Sequence, residues 1–285
     1  HILLDAHLDQ VGLIVTSIEE DGFLRAAKCG GLDLRTLMAQ EVTVHGAEAL
    51  YGVVPAQPPH LAFSQGMESA LEEKEIFIDI GLPKAEAERL VPLGSRVSLR
   101  GEPTRLHGSR FTAPALDNRA GVAAILRCLE LLEGKPACRL TVLFSVQEET
   151  TGSGARGGAF AIQPEEAIAV DVSFARAPGV DPGEAQGVLG KGTMIGFAPS
   201  LDLAVSERLA SIAGKEDIPF TREIMGGASG TNADRIQTAG GGVPCGLLSI
   251  PLRNMHTAAE LLDLGDVEAT ARLLAAYLIE RGRGA

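Results

Sequence analysis

Apolar runs of strand length, Leu140–Val146, Ala167–Val172 and Gly242–Ile250, alternate along the chain with stretches of helical spacing. This alternation restricts the fold to an α/β sandwich with a largely buried sheet. The chain opens on a related run: Ile2, Leu3 and Leu4 begin a strand that reaches about Leu8, and a second strand, Gly12–Ile18, follows closely. Asp117–Leu132 has Val122, Ile125, Leu126, Leu129 and Leu132 on one side, the spacing of a helix, and Gly134 and Pro136 stop it. Ser153–Phe160 and Leu201–Ala213 read as further helices. Asp266–Ile279 is the closing helix, with Val267, Ala271, Leu274, Ala275 and Leu278 facing inward.

Residues 32–106 have a different texture. Short β-prone runs, Glu41–Val44, Glu75–Ile80 and Arg96–Leu99, are separated by Gly and Pro. Pro83–Leu90 reads as a short helix among them, and Pro55–Pro59 as a loop, because proline withholds a ladder donor. The expected architecture is a mixed-sheet α/β/α sandwich formed by 1–31 and 107–285, with a small β-barrel-like domain, 32–106, inserted into it.

With 285 residues, 45% hydrophobic and 22% charged, the chain can bury one large core beside a smaller second one. The formal charge of −12, with no offsetting Lys/Arg cluster, argues against nucleic acid as a partner, since phosphate contacts need a concentrated basic surface. No uninterrupted apolar stretch is long enough to span a bilayer, so no membrane partner is expected. The cysteines, Cys29, Cys128, Cys138 and Cys245, are scattered and form no CxxC pair. Reduced thiols in a cytoplasmic protein are the plain reading. His1-Ile2-Leu3-Leu4 looks like an interior strand, so further residues are expected upstream.

Charged or imidazole groups recur where apolar elements end: His7 with Asp9, Asp117, Glu148 with Glu149, Asp171, and His256. Such groups are costly to bury unless paired or bound to a cation. Imidazole nitrogen and carboxylate oxygen are the ligands of a borderline divalent metal. Strand ends in an open α/β sheet are also where sites form. Each position has an ordinary explanation as well. His7 could be a surface histidine near a turn; with Asp9 on the same side of the strand, it could instead be a ligand whose other ring N–H is held by that carboxylate. Asp117 could simply cap a helix, or bridge two cations. Glu148-Glu149 could be a solvated turn. Yet two adjacent acids closing a buried strand repel each other unless something positive is near. One could then bind metal while the other moves a proton. The following glycines carry no Walker pattern, which excludes a nucleotide loop.

The ordered set of segments resembles the M42 family of metallo-aminopeptidases. The segments are Asp5-Ala6-His7-Leu8-Asp9-Gln10-Val11-Gly12, Ala115-Leu116-Asp117-Asn118-Arg119, Val146-Gln147-Glu148-Glu149, Ala169-Val170-Asp171-Val172 and Pro251-Leu252-Arg253-Asn254-Met255-His256. Gly230-Thr231-Asn232-Ala233-Asp234 is similar to the family's Gly-Thr-Asp-Ala stretch, with Asn232 in place of the Asp. Gln10 stands where the family usually has Glu, Ser173 where Thr is frequent, and Asn254-Met255 where an aromatic is usual.

The resemblance implies two divalent cations per subunit, zinc first, with cobalt or manganese as alternatives. His7, Asp117 and Asp171 would hold one; Asp117, Glu149 and His256 the other. Glu148 would be the general base and Asp9 the group that steadies His7. The implied activity is cleavage of the first peptide bond of short peptides with a free N-terminus. The implied assembly is a homo-oligomer built from dimers, up to twelve subunits, with the inserted domain serving dimerisation or substrate placement. Alternatives are a metal-dependent deacylase or carboxypeptidase-like amidohydrolase, a glycosidase of the endoglucanase type, and a non-enzymatic shell protein. The chain has no Trp and only two Tyr, which leaves few rings for sugar stacking.

Overall fold

The computed structural model describes residues 1–56, 76–133, 136, 138–181 and 183–283. The chain forms two compact units: His1–Asp9 with Pro103–Met255 and Glu260–Ala285, and Gln10–Glu102 with His256–Ala259. Strands and helices are numbered along the chain.

The larger unit is built on a mixed six-stranded sheet. Its strands are β10 (Leu140–Ser145), β1 (Ile2–His7), β11 (Glu166–Phe174), β14 (Cys245–Leu252), β12 (Thr193–Phe197) and β13 (Phe220–Ile224), in that spatial order. The first four run parallel; β12 is antiparallel to β14 and parallel to β13. Side chains alternate across the sheet, so each strand serves two cores. Ile2, Leu4 and Ala6 of β1, with Ile168, Val170 and Val172 of β11, pack in one hydrophobic cluster with helices α2 (Leu116–Leu131), α4 (Leu203–Lys215) and α6 (Leu264–Arg283). Leu3, Ala167 and Ala169 pack in the other, with α3 (Ser153–Ile162) and α5 (Ala233–Ile236). Asp5, His7 and Asp171 fall in the alternation of this second face. Small residues dominate there: Ala155 and Ala159 let α3 lie close to the sheet. A three-stranded antiparallel sheet, β15 (Glu260–Asp263), β9 (Arg110–Ala113) and β8 (Thr104–Arg105), completes the unit. Among the described residues, no helix is long and apolar enough to cross a membrane.

The smaller unit is a six-stranded antiparallel sheet of β5 (Ala49–Val53), β4 (Glu41–His45), β7 (Arg96–Leu99), β2 (Gly12–Ile18), β3 (Leu24–Cys29) and β6 (Phe77–Ile78). A bridge between Val53 and Asp79 draws the two edges together, so the sheet is nearly closed into a small barrel. Leu13, Val15, Leu24, Val42, Val44, Ile78 and Val97 fill its interior. Helix α1 (Lys84–Leu90) starts directly after Pro83.

The mixed α/β sandwich and the barrel-like second unit match the expected fold. The unit boundaries do not follow the expected residue 32 and residue 106, because β2 and β3 pair with β7 and β6 and so belong to the barrel. Helix α2 spans Leu116–Leu131, close to the expected range. Strands β12 and β13 were not anticipated: Gly196 and the polar Thr221-Arg222-Glu223 break the apolar pattern. The expected loop residues Gln57–Pro59, the strand start at Glu75 and the helix stop at Gly134 lie outside the described residues.

Candidate metal centre

The end of β1 fixes the first functional side chain. His7 is buried, and its Nδ1 lies 3.1 Å from the carbonyl oxygen of Asp9. A carbonyl only accepts, so Nδ1 carries the proton in that contact and Nε2 faces the other way. On that side Nε2 lies 3.1 Å from Asp117 Oδ1, 3.5 Å from Asp171 Oδ1 and 4.0 Å from Glu148 Oε2. Burial alone would lower the proton affinity of His7, but the carboxylates of Asp117, Asp171 and Asp9 outweigh it and raise the pKa. The same negative field favours any cation at Nε2.

Asp117 reaches this point because it does not cap its helix. The residue beside it does: Asn118 Oδ1 accepts the N–H of Gly121 at 3.0 Å, and its Nδ2 donates to the carbonyl of Val170 on β11 at 2.7 Å. Gly121 must be glycine here, since a Cβ would fall 2.3 Å from Asn118 Oδ1 and 3.0 Å from the Val170 carbonyl. The Asp117–Asn118 peptide bond is cis. The Asp117 N–H donates to the buried Glu260 carboxylate at 3.0 Å. Of the two roles open to Asp117 in the sequence, the geometry leaves capping to Asn118 and turns Asp117 toward His7.

Glu148 and Glu149 follow β10 through a tight turn. Gln147 takes a left-handed φ of 67°, and its carbonyl accepts the N–H groups of Thr151 at 3.0 Å and Gly152 at 2.6 Å. The Asp9 carboxylate accepts both backbone N–H groups of the acidic pair, Glu148 at 3.2 Å and Glu149 at 3.3 Å. Asp9 was expected to steady His7 through its carboxylate. That group lies 3.5 Å from Nδ1, farther than its own carbonyl, and it also ties the end of β1 to the Glu148–Glu149 turn. Burial first, then the charge of Asp171, push Glu148 up to about 8, with His7 opposing. Burial likewise raises Asp171, against the pull of His7 and of the Val172 N–H.

His256 stands on the hairpin from β14 to β15, whose base is a bridge between Arg253 and Leu261. It also has a left-handed φ, of 63°, and its Nδ1 donates to the Gly31 carbonyl at 3.0 Å.

Two donor sets result. His7, Asp117 and Asp171 each offer one ligand atom, all within 4.8 Å of one another, and so do Asp117, Glu149 and His256. Asp117 is common to both. One imidazole nitrogen with carboxylate oxygens, converging in a largely buried and net negative site, fits a pair of adjacent divalent cations. All the expected ligand positions are thus brought together, with Glu148 beside them. Two participants escaped the sequence reading. Glu260 opens a short strand where the others close one, so the signal that marked them passes over it, and Asn118 was hidden behind its neighbour Asp117.

Residues 1–273 match the family described as M42 glutamyl aminopeptidase. The lysyl aminopeptidase of Pyrococcus furiosus is 37% identical over 288 residues, covering 98% of this chain and 81% of its own. An aminopeptidase from the archaeon Desulfurococcus kamchatkensis superposes with a TM-score of 0.89 at 35% identity, covering 98% of this chain and 79% of that one. The TET1 peptidase of Pyrococcus horikoshii, which can assemble into a tetrahedron or a large octahedral shell, gives a TM-score of 0.85 at 31% identity over 98% of this chain and 83% of that one. With both donor sets in place on this fold, the chain belongs to the M42 family of glutamyl aminopeptidases.

Proposed function

We infer that the chain is a metal-dependent aminopeptidase that hydrolyses the first peptide bond of short peptides with a free N-terminus. The single observation that carries this is the sharing of Asp117 between two donor sets, with Glu148 alongside. A bound pair of divalent cations would polarise the scissile carbonyl and acidify the attacking water. His7, Asp117 and Asp171 would hold one cation, and Asp117, Glu149 and His256 the other; zinc is the proposed metal.

Glu148 takes the proton from water and returns it to the departing amine. Its raised pKa suits both halves of that task, because a carboxylate that is too acidic would not hold the proton between them. Asp9 keeps the carboxylate of Glu148 at a fixed distance from His7 by holding its backbone, and the Asp9 carbonyl keeps the His7 ring in one tautomer.

A homo-oligomeric state reaching twelve subunits is proposed by analogy with the TET1 peptidase, one structure of which holds a dodecamer, and dimers are the building blocks that the family resemblance implies. The barrel-like unit is proposed to serve dimerisation or substrate placement. A cytoplasmic location accords with four cysteines that remain free thiols. The test is elemental analysis paired with turnover of aminoacyl, N-acyl and carboxyl-terminal peptide substrates, before and after chelation. About two equivalents of metal, and chelator-sensitive turnover of aminoacyl substrates only, are expected. Chelator-insensitive activity, or cleavage of N-acyl substrates instead, would overturn the reading.

A further inference from the structure

Beneath His7, on the same face of β1, lies a second acidic group that the reaction does not use. Asp5 is buried. In the parallel pairing of β1 with β10, His7 stands opposite Ser145, so the side chains of Asp5, His7 and Ser145 share one face. Asn232, next to the start of α5, reaches into that space. Its amide nitrogen donates to Asp5 Oδ2 at 2.9 Å and to Ser145 Oγ at 2.9 Å. The Asn232 amide thus links Asp5 and Ser145 across the two strands. No cationic side chain pairs with Asp5 among the described residues. Asp5 Oδ1 and Asn232 Oδ1 are both buried and have no hydrogen-bond partner among the described residues.

The amide orientation follows from the chemistry. Turned over, Asn232 would set its oxygen against the Asp5 carboxylate and leave both amide protons without these acceptors. As placed, Asn232 is the only side chain that donates to Asp5 among the described residues. Without it, this carboxylate has no side-chain donor among the described residues, and the ring of His7 stands on the same face of β1, one pleat above.

We propose that Asn232 is a positioning residue for the metal centre: it occupies the carboxylate of Asp5, so that Asp5 does not draw the His7 ring out of the arrangement that Asp117 and Asp171 require. This rests on the reading of His7 as a metal ligand. Removal of a group that orients a ligand commonly weakens metal binding tenfold or more.

The test is metal affinity, measured by chelator competition on the full chain, for Asn232→Ala, Ser145→Ala, Asp5→Asn and the double variant Asp5→Asn/Asn232→Ala. Asn232→Ala is expected to weaken metal binding by about tenfold, and Ser145→Ala by less. In the Asp5→Asn background, adding Asn232→Ala should change the affinity by less than about twofold, because the charge it restrains is gone. A purely structural role predicts lower thermal stability of the metal-free protein with unchanged affinity, or an equal effect in both backgrounds; either overturns the proposal. Ser145→Ala and Asp5→Asn each keep the amide of Asn232, so the comparison survives poor folding of Asn232→Ala. If the unsubstituted protein binds no divalent metal, it is the metal-centre reading that fails, which is a separate outcome.

Discussion

His7 Nε2 and Asp117 Oδ1 lie 3.1 Å apart, although both side chains are almost fully buried and one comes from a strand and the other from the first turn of a helix. A hydrogen bond alone could explain this distance. Asp171 and Glu148 converge on the same nitrogen, however, and one ring proton cannot serve three carboxylates. Asp117→Asn keeps the volume and removes the charge shared by both donor sets. It should weaken binding of both metals by more than about a hundredfold, beyond the loss from an outer group alone. Metal titration by calorimetry checks this; a variant that loses only one equivalent would contradict the shared role.

Glu148→Gln should leave two equivalents of metal in place and reduce kcat by about 10²–10⁴-fold, the usual contribution of a positioned acid–base group. Elemental analysis alongside steady-state kinetics separates the two effects. Near-normal turnover would remove Glu148 from the mechanism.

Asp9→Asn should act at a distance from the chemistry. The amide can accept through one oxygen only, so one of the N–H groups of Glu148 and Glu149 loses its acceptor and meets an NH2 group instead. Metal affinity and kcat are both expected to fall, each by about tenfold. Unchanged affinity with unchanged kcat would show that the turn holds itself.

Gly154→Ala tests how α3 sits on the end of β10. A Cβ there would lie 2.2 Å from the Val146 carbonyl oxygen and 2.8 Å from its nitrogen, and backbone atoms cannot swing aside. A loss of about 1–3 kcal/mol is expected from overpacking. Chemical denaturation measures it, and a neutral result would mean that the strand end yields freely.

Stability should also depend on pH through Asp266, in the first turn of α6. Burial raises its pKa from 3.8 to about 6, against the opposing N–H groups of Gly190 and Gly192 that it accepts at 2.7 Å. The folded state therefore binds more protons than the unfolded state between those values. Stability from this group is full below about pH 4 and is lost as pH rises through about 6. The loss amounts to roughly 3 kcal/mol. Asp266→Asn removes this slope. Urea unfolding at pH 4 and pH 7 should show the parent losing roughly 3 kcal/mol relative to the variant across that range; a constant difference would contradict it.

Much of the centre was legible because its members obey one rule: an acid or histidine where an apolar element stops. His7, Glu148, Glu149 and Asp171 are found this way, and their strands with them. Asp117 was harder, since a helix-capping aspartate looks the same in sequence. Only the side-chain hydrogen bonds of Asn118 separate the two roles. Strands β12 and β13 were obscured for a different reason. Glu223 on β13 is buried but accepts hydroxyls from Ser173 and Ser249, so a charged residue there marks a tertiary contact, not an exposed edge. The start of the barrel-like unit was misplaced because β2 continues closely from β1 in sequence while pairing with β7 in space.

The alternation within β1 has a further consequence. Leu4 and Ala6 seal one face of the sheet while Asp5 and His7 furnish the other, all within consecutive positions. Inserting or deleting a single residue upstream of them would exchange the two sets, sending the imidazole into grease and the leucine into the charged pocket. The ladder that seats His7 is therefore the same one that seals the core.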